Sequence, residues 1–442
     1  MTARSRAMVL AMVSVAATAR PAPAATSEQL PAVLSLDAAL ALARKHQPDL
    51  RAAHFNTAAA NARVDEQFSN LLPQLTANAS VRRQTGTQVT AVPAMGSTPG
   101  SLTTTSRTTN VYSASANLTQ LIWDFGQTIR KRDAAQASAD AALDSEKASA
   151  LTIDFNLRSA FYTASTARSN VDVARETLAN QNKHLEQIQS FVDLGRNPTI
   201  DLLQARVDQA NAEVTLINAQ NDYATARVIL NQAMGVEADT GYDVEPTVSA
   251  PVPGESSSLD GLVDEALKAR PEIASLQDQL RAQVMANKSV FGRYWPALLA
   301  QLNGNYSGLE LDRMTYLAFA GLNLSWTLFD GGETRATLRE GNAQVSALAA
   351  QIDSLRLQVR VDVEQARLAV AATKASLSAA DRSLTNARAR LELAEVRYRT
   401  GVGSIIELSD TQLAATTAAF QKLQAQLKLD TARAQLTKAL AR

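Results

Sequence analysis

Residues 127–194 read QTIRKRDAAQASADAALDSEKASALTIDFNLRSAFYTASTARSNVDVARETLANQNKHLEQIQSFVDL, and this stretch decides the fold. It contains no glycine and no proline, where average usage would place about eight. Gly126 and Gly195 bracket it. At about 1.5 Å per residue it makes a helix roughly 100 Å long, well past the usual globular length. Apolar residues recur with a heptad period at Leu143, Ala150, Leu157, Ala164, Val171, Leu178, Leu185 and Val192. A second row, Ile153, Ala160, Ala167, Ala174 and Ile188, lapses once at Gln181. Spacings of three and four put both rows on one stripe, which is a coiled-coil seam. Its many alanines let a neighbouring helix come close. A seam this long needs a long partner, and the chain supplies one.

The two halves of the chain follow one plan. LDAALALARKHQP (36–48) is answered by LDGLVDEALKARP (259–271), an offset of 260 − 37 = 223, and Pro73 maps onto Pro296 at the same offset. Trp123-Asp124-Phe125-Gly126 is answered by Phe329-Asp330-Gly331-Gly332, and Gly195 by Gly401, both now at 332 − 126 = 206. The heptad row transfers at that offset to Val363, Val370, Leu377, Leu384, Leu391 and Tyr398. This is a tandem duplication. Residues 34–235 form the first repeat, 258–442 the second, and the proline-, glycine- and serine-rich residues 236–257 the linker.

Each repeat reads helix, strand, loop, strand, very long helix, tight turn, helix. Leu75, Ala77, Ala79 and Val81 alternate with Thr76, Asn78, Ser80 and Arg82, and Tyr112, Ala114, Ala116 and Leu118 with Ser113, Ser115, Asn117 and Thr119. The second repeat has Leu298, Ala300, Leu302 and Tyr306 against Gln301, Asn303, Asn305 and Ser307, then Leu322, Leu324 and Trp326 against Asn323, Ser325 and Thr327. About ten residues each, one face apolar and one uncharged-polar, suits strands that cross a bilayer around a wet lumen, although a soluble amphipathic sheet has the same pattern. The polar stretch 84–110 reads as an exposed loop, with a short counterpart at 307–315. Four strands cannot close a barrel, and an open edge in lipid is forbidden. Two chains would give eight strands and a barrel plugged by its own side chains; three give twelve strands and a conducting lumen.

Composition narrows the function. Hydrophobic residues make up 46% with only 18 Gly and 13 Pro, a helix-dominated balance. Lys plus Arg and Asp plus Glu are 43 each, so no basic excess points to nucleic acid. Residues 1–24 read as a secretory signal peptide: Arg4 and Arg6, an apolar run from Ala7 to Ala17, and small residues offering cleavage after Ala19 or Ala24. With no cysteine there is no disulfide framework, thiolate metal site or lipid-bearing cysteine. His46, His54 and His184 are scattered, and no GxSxG, phosphate loop or zinc motif occurs, so neither an enzyme nor a cofactor or metal is expected.

This plan resembles the TolC family of outer-membrane efflux proteins. The paired LDxAL…P openings carry the resemblance, with the WDFG and FDGG strand exits and the turns FVDLGRNPTIDLLQARVDQA from Phe191 and VRYRTGVGSIIELSDTQLAA from Val396. It implies a mainly α protomer of a homotrimer, in which a twelve-stranded transmembrane β-barrel continues into a periplasmic α-barrel. It also implies docking of the tip turns, at Gly195, Gly401 and Gly403, onto a periplasmic adaptor served by an inner-membrane RND, ABC or MFS transporter. The protein is then expected to be a passive duct, for toxic small molecules or for a type I secreted polypeptide. The other class kept open is a soluble periplasmic coiled-coil scaffold.

Asp201, Glu407 and Asp410 stand just inside helices that begin after the two turns. Ser404-Ile405-Ile406-Glu407 is a capping box, and Asp201 follows Asn197-Pro198, where an acid suits the helix dipole, so local capping accounts for both. Asp410 has no capping role. The resemblance implies that Glu407 and Asp410 ring the entrance, and that Asp201 and Tyr398 belong to a latch whose arginine position is Gly403 here. Arg196, Arg397 or Arg399 are the candidates to replace it. Tyr398 also continues the heptad row, and Gly195 and Gly401 suit left-handed helix ends. Trp123 and Trp326 fit an interfacial belt or packing on the helices below.

Overall fold

The computed structural model describes residues 31–92, 101–196, 198–237, 241–255 and 257–442. The signal-peptide expectation at 1–24 lies outside them. In chain order the elements are β1 (Val33–Leu34), α1 (Leu36–His46), α2 (Pro48–Ser69), β2 (Gln74–Val92), β3 (Ser101–Trp123), α3 (Gln127–Asp193) and α4 (Thr199–Met234). The plan then repeats as β4 (Asp243–Val244), α5 (Leu259–Ala269), α6 (Pro271–Gly292), β5 (Ala297–Gly308), β6 (Met314–Ser325), α7 (Glu333–Arg399) and α8 (Ile405–Ala439).

The two long helices are 67 residues each. Their heptad rows are the packed ones: Leu157, Ala164 and Val171 on α3, and Val363, Val370 and Leu384 on α7, are buried. Each long helix lies beside two shorter ones stacked end to end. Near the strands the packing order across the wall is α2, α3, α6, α7; farther away it is α4, α3, α8, α7. The second repeat therefore continues the wall begun by the first. Midway along, β1 pairs with β4 in parallel, and α1 and α5 thicken the wall over two clusters centred on Phe161 and Leu157, and on Val359 and Val363.

The linker is a packed segment. Tyr242, Val244 and Val252 are buried, and Tyr223 and Arg168 both bond the Asp243 carboxylate. Burial works to raise the Asp243 carboxyl, but those two partners outweigh it and hold it below the ordinary carboxylate range.

Strands run in the order β2-β3-β5-β6, all antiparallel. Register places Leu75, Leu118, Leu302 and Ala320 in one row, and Ala79, Ala114, Tyr306 and Tyr316 in another. One apolar face thus spans all four strands, with Leu75 and Tyr316 each 72% exposed in the protomer. The opposite face carries the rows Asn78, Ser115, Asn305 and Ser80, Ser113, Ser307, with the Ser80 and Ser113 hydroxyls 2.8 Å apart. Leu317 and Phe319 on β6 interrupt it.

The first hairpin departs from expectation. β2 and β3 are 19 and 23 residues long, not about ten, and Gln84–Val92 continues the ladder against Ser101–Thr109. Only residues 93–100 of the expected loop are undescribed. Its threonines explain the pairing: they are β-branched, and cross-strand hydroxyls such as Thr85 and Thr108 meet at 3.0 Å.

Where strand gives way to long helix, the repeated aspartate caps. Asp124 Oδ2 accepts the Thr128 N–H at 2.7 Å, while Gly126, at φ +78°, redirects the chain. Asp330 takes the N–H groups of Gly332 and Thr334 and the Thr334 hydroxyl, which hold its carboxyl down at about 2. Trp123 meets Phe125 edge-on, Phe125 stacks on Trp295, and Trp326 Nε1 donates to the Tyr294 carbonyl at 3.0 Å. These rings pack against the junction while staying half exposed.

Candidate functional site: the tip of the helical hairpins

The far ends of α3 and α7 are built alike. Gly195, at φ +69°, donates to the Val192 carbonyl at 2.9 Å, and Arg196 to that of Phe191 at 2.9 Å. Gly401, at φ +78°, and Val402 repeat this with Tyr398 and Arg397 at 3.1 and 3.0 Å. Both are Schellman motifs, which satisfy the last carbonyls of a helix and need a residue without a Cβ at the left-handed position. The two turns share one end of the molecule. Ile188 of α3, Leu202 and Ala205 of α4, Tyr398 of α7 and Leu408 of α8 form a single apolar cluster there.

Tyr398, 7% exposed, is thus a seam residue by packing. Asp201 is half-buried, and its N–H donates to the Pro198 carbonyl at 3.1 Å. Pro198 itself stands at the cap and α4 starts at Thr199, one residue later than a first-turn proline would place it; Asn197 lies outside the described residues. The capping box at Ser404 is half formed. Ser404 Oγ accepts the Glu407 N–H at 3.1 Å, but the Glu407 carboxylate turns to Arg397 Nε at 3.4 Å. Asp410 is exposed.

Gly403 donates to the Arg397 carbonyl at 3.0 Å, and a Cβ there would sit 3.0 Å from the Tyr398 nitrogen and 3.1 Å from Arg397. An arginine at 403 would press on the end of α7. Of the three candidate replacements, Arg397 is the one whose guanidinium meets Glu407.

Several contacts between the two hairpins escape sequence reading. Ser409 Oγ donates to Asp208 Oδ2 at 2.6 Å, tying α8 to α4. Gln181 Nε2 donates to Gln412 Oε1 at 3.0 Å, tying α3 to α8. His184 Nε2 of α3 lies 3.7 Å from Glu395 Oε1 of α7; within the first repeat, away from the tip, His54 Nδ1 of α2 lies 3.2 Å from Glu146 of α3. Burial lowers the His184 ring pKa, partly offset by Glu395. Two signals were there to read: Asp208 stands one heptad after Asp201, and the lapse at Gln181 marks the place where the seam is polar. Among the described residues no three His, Cys, Asp or Glu side chains gather at metal-binding distance.

A family model described as outer membrane efflux protein matches residues 39–236 and 262–442. The chain is 24% identical over 415 residues to the pyoverdine export outer membrane protein OpmQ of Pseudomonas putida, covering 92% of this chain and 85% of that one. It is 24% identical over 408 residues to the toluene efflux pump outer membrane protein TtgF of Pseudomonas putida, covering 91% and 82%. Among solved structures, the Campylobacter jejuni CmeC outer membrane channel superposes with a TM-score of 0.76 at 18% identity, covering 92% of this chain and 85% of that one. The outer membrane protein VceC of Vibrio cholerae does so with 0.74 at 17%, covering 92% and 96%.

Proposed function

This chain belongs to the outer membrane efflux protein family, and from that premise we propose that three copies close into one duct fed by an adaptor and an inner-membrane pump. An outer-membrane channel is the class to which it belongs, rather than a soluble scaffold. The observation that carries the trimer is the sheet. Its apolar face spans four strands, and its outer strands β2 and β6 each have one edge unpaired within the protomer. In lipid those edges must pair with other copies. Because β2 and β6 run in opposite directions, a neighbour's β2 continues the antiparallel order.

The native chain has no cysteine, so pairing can be mapped with an introduced pair. With Ala77→Cys on β2 and a cysteine scanned along β6 from Tyr316 to Leu324, one register should oxidise to a covalent closed trimer on unheated gels. A covalent dimer as the largest product, or monomers that stay in water without detergent, would rule this assembly out.

At the tip, Glu407 and Asp410 of three copies would form six carboxylates at the entrance, with Asp201 and Tyr398 holding it shut and Arg397 in the role left empty at Gly403. The turns at Gly195, Gly401 and Gly403 would meet the adaptor. The cargo is what the pump delivers, small toxic molecules or a secreted polypeptide, and no chemistry is done on it. Residues 1–24 would direct export to the periplasm. Asp410→Asn should lower the cation preference of the open channel, read as a smaller reversal potential in a salt gradient. An unchanged potential would take Asp410 out of the pore.

A further inference from the structure

A cavity lies near the strand end of the wall. It measures about 730 Å³ and is lined by α2, α3 and α6, inside the range of small-molecule sites. Its floor is small and apolar, with Ala60, Ala134, Ala135 and Val290, and its rim carries Arg63, Lys131 and Arg293 against one acid, Glu66. Arg293 lies 3.6 Å from Glu333, both exposed. Arg63 and Lys131 make no ion pair among the described residues.

Two observations put this cavity on the inner side of the wall. Ala139 of α3 faces α2, and Ser145 faces α6. Ala135 and Ala142 also pack on α2 and Asp140 also meets Arg281 of α6, so at about 100° per residue the mean directions of the two contacts lie about 160° apart on the side of Lys131 and Ala142 and about 200° apart on the other. Neighbouring staves subtend less than half a turn on the concave side of a closed wall, so the cavity face is concave. Independently, Arg293 also lines a second cavity, of about 500 Å³, together with Ser325 and Thr327. Ser325 belongs to the polar face of β6, the face that points into a barrel lumen.

We propose that this neck cavity is a luminal binding site for amphipathic organic anions, a sulfonate or carboxylate carried on a small apolar body. The body lies on the alanine floor and the head group meets the guanidinium of Arg63 and the ammonium of Lys131. Charge-assisted bonds in a concave, low-dielectric wall are the strong ones. The acidic entrance does not cancel them. Residue 142 and the Ile188 cluster are roughly 70 Å apart along α3, many screening lengths at physiological salt. The inference rests on the channel reading and adds a cargo preference to it.

The test uses the full chain in a non-ionic detergent, titrated calorimetrically with naphthalene-1-sulfonate and with 1-naphthylmethylammonium, each corrected against detergent alone. The sulfonate should bind at least about tenfold more tightly, a difference of about 1.4 kcal/mol. Arg63→Gln with Lys131→Gln should abolish that preference. Ala134→Leu, which fills the floor without touching charge, should weaken both ligands. Equal binding of the two probes, or a preference that survives the double substitution, overturns the site. Single-channel recording on the same preparations separates the two levels. Conductance without sulfonate preference defeats this site alone, whereas bound sulfonate with no conductance under any condition defeats the duct.

Discussion

Asp208→Ala should open the tip, raising the open-to-closed ratio of the trimer by as much as about a thousandfold. The bond it removes, Ser409 Oγ to Asp208 Oδ2 at 2.6 Å, is a direct tie between α8 and α4. A hydrogen bond to a carboxylate contributes about 1.5–3 kcal/mol, and both partners are half-buried, so the low end applies. About 1.4 kcal/mol is tenfold in one protomer, and three protomers that move together multiply it to about a thousandfold. Arg397–Glu407 cannot substitute, because both residues belong to the α7–α8 hairpin and move with it. Single-channel conductance in planar bilayers reads the result directly. If Asp208→Ala leaves closure unchanged, parting of α8 from α4 is not the gating motion. Asp201→Ala should act in the same direction, since the proposed latch would resist the same displacement as this bond.

The parts of the fold that were legible are those with a sustained period. Residues 127–194 announce their helix through the missing glycines and the heptad row, and the second copy repeats the bracketing glycines and that row at one offset, 206. Strand alternation was readable only where the two faces differ in solvent. In the sequence of 84–92 and 101–109 polar residues stand at both odd and even positions, so period two vanishes although the backbone still pairs. The packing of the linker was hidden for a different reason. Proline, glycine and serine describe its backbone, whereas its position is set by a few anchors, Tyr242, Val244 and Val252, and by pairing with a strand far away in sequence. At the tip, helix ends were legible because Schellman turns need glycine, but cross-hairpin pairs were not. Nothing local in a helix says that His184 will meet Glu395, or that a serine at 409 will find Asp208.

The same long-range logic gives the largest expected stability effect, at Glu255 in the linker. Its side chain is 7% exposed and accepts the Val252 N–H at 3.2 Å. It pairs with Lys374 of α7 and lies 3.4 Å from Arg433 of α8, whose side chain is only 10% exposed. Arg433 in turn donates to the Ser249 carbonyl at 2.7 Å, so one carboxylate pins the crossover to both helices of the second hairpin. Glu255→Ala removes the ion-pair partner of the buried Arg433 and leaves Asp430, linked to it only through Ser249, as the nearby carboxylate; deleting one partner of a buried pair costs about 3–5 kcal/mol. Because Lys374 is 43% exposed and can rehydrate, the lower figure is expected. Burial by itself would raise the Glu255 carboxyl; the Lys374 bond, the Val252 N–H and the Arg433 charge override it and hold it below the ordinary value. A depressed carboxyl stabilises fully above its unfolded value, near pH 4.3, and that stabilisation fades as pH falls through the lower folded value. Denaturant melts should therefore show the variant about 3 kcal/mol weaker at pH 7, with the gap closing in acid below about pH 4. A gap that stays constant down to pH 3 would mean that packing of the Glu255 stem, rather than its charge, holds the crossover in place.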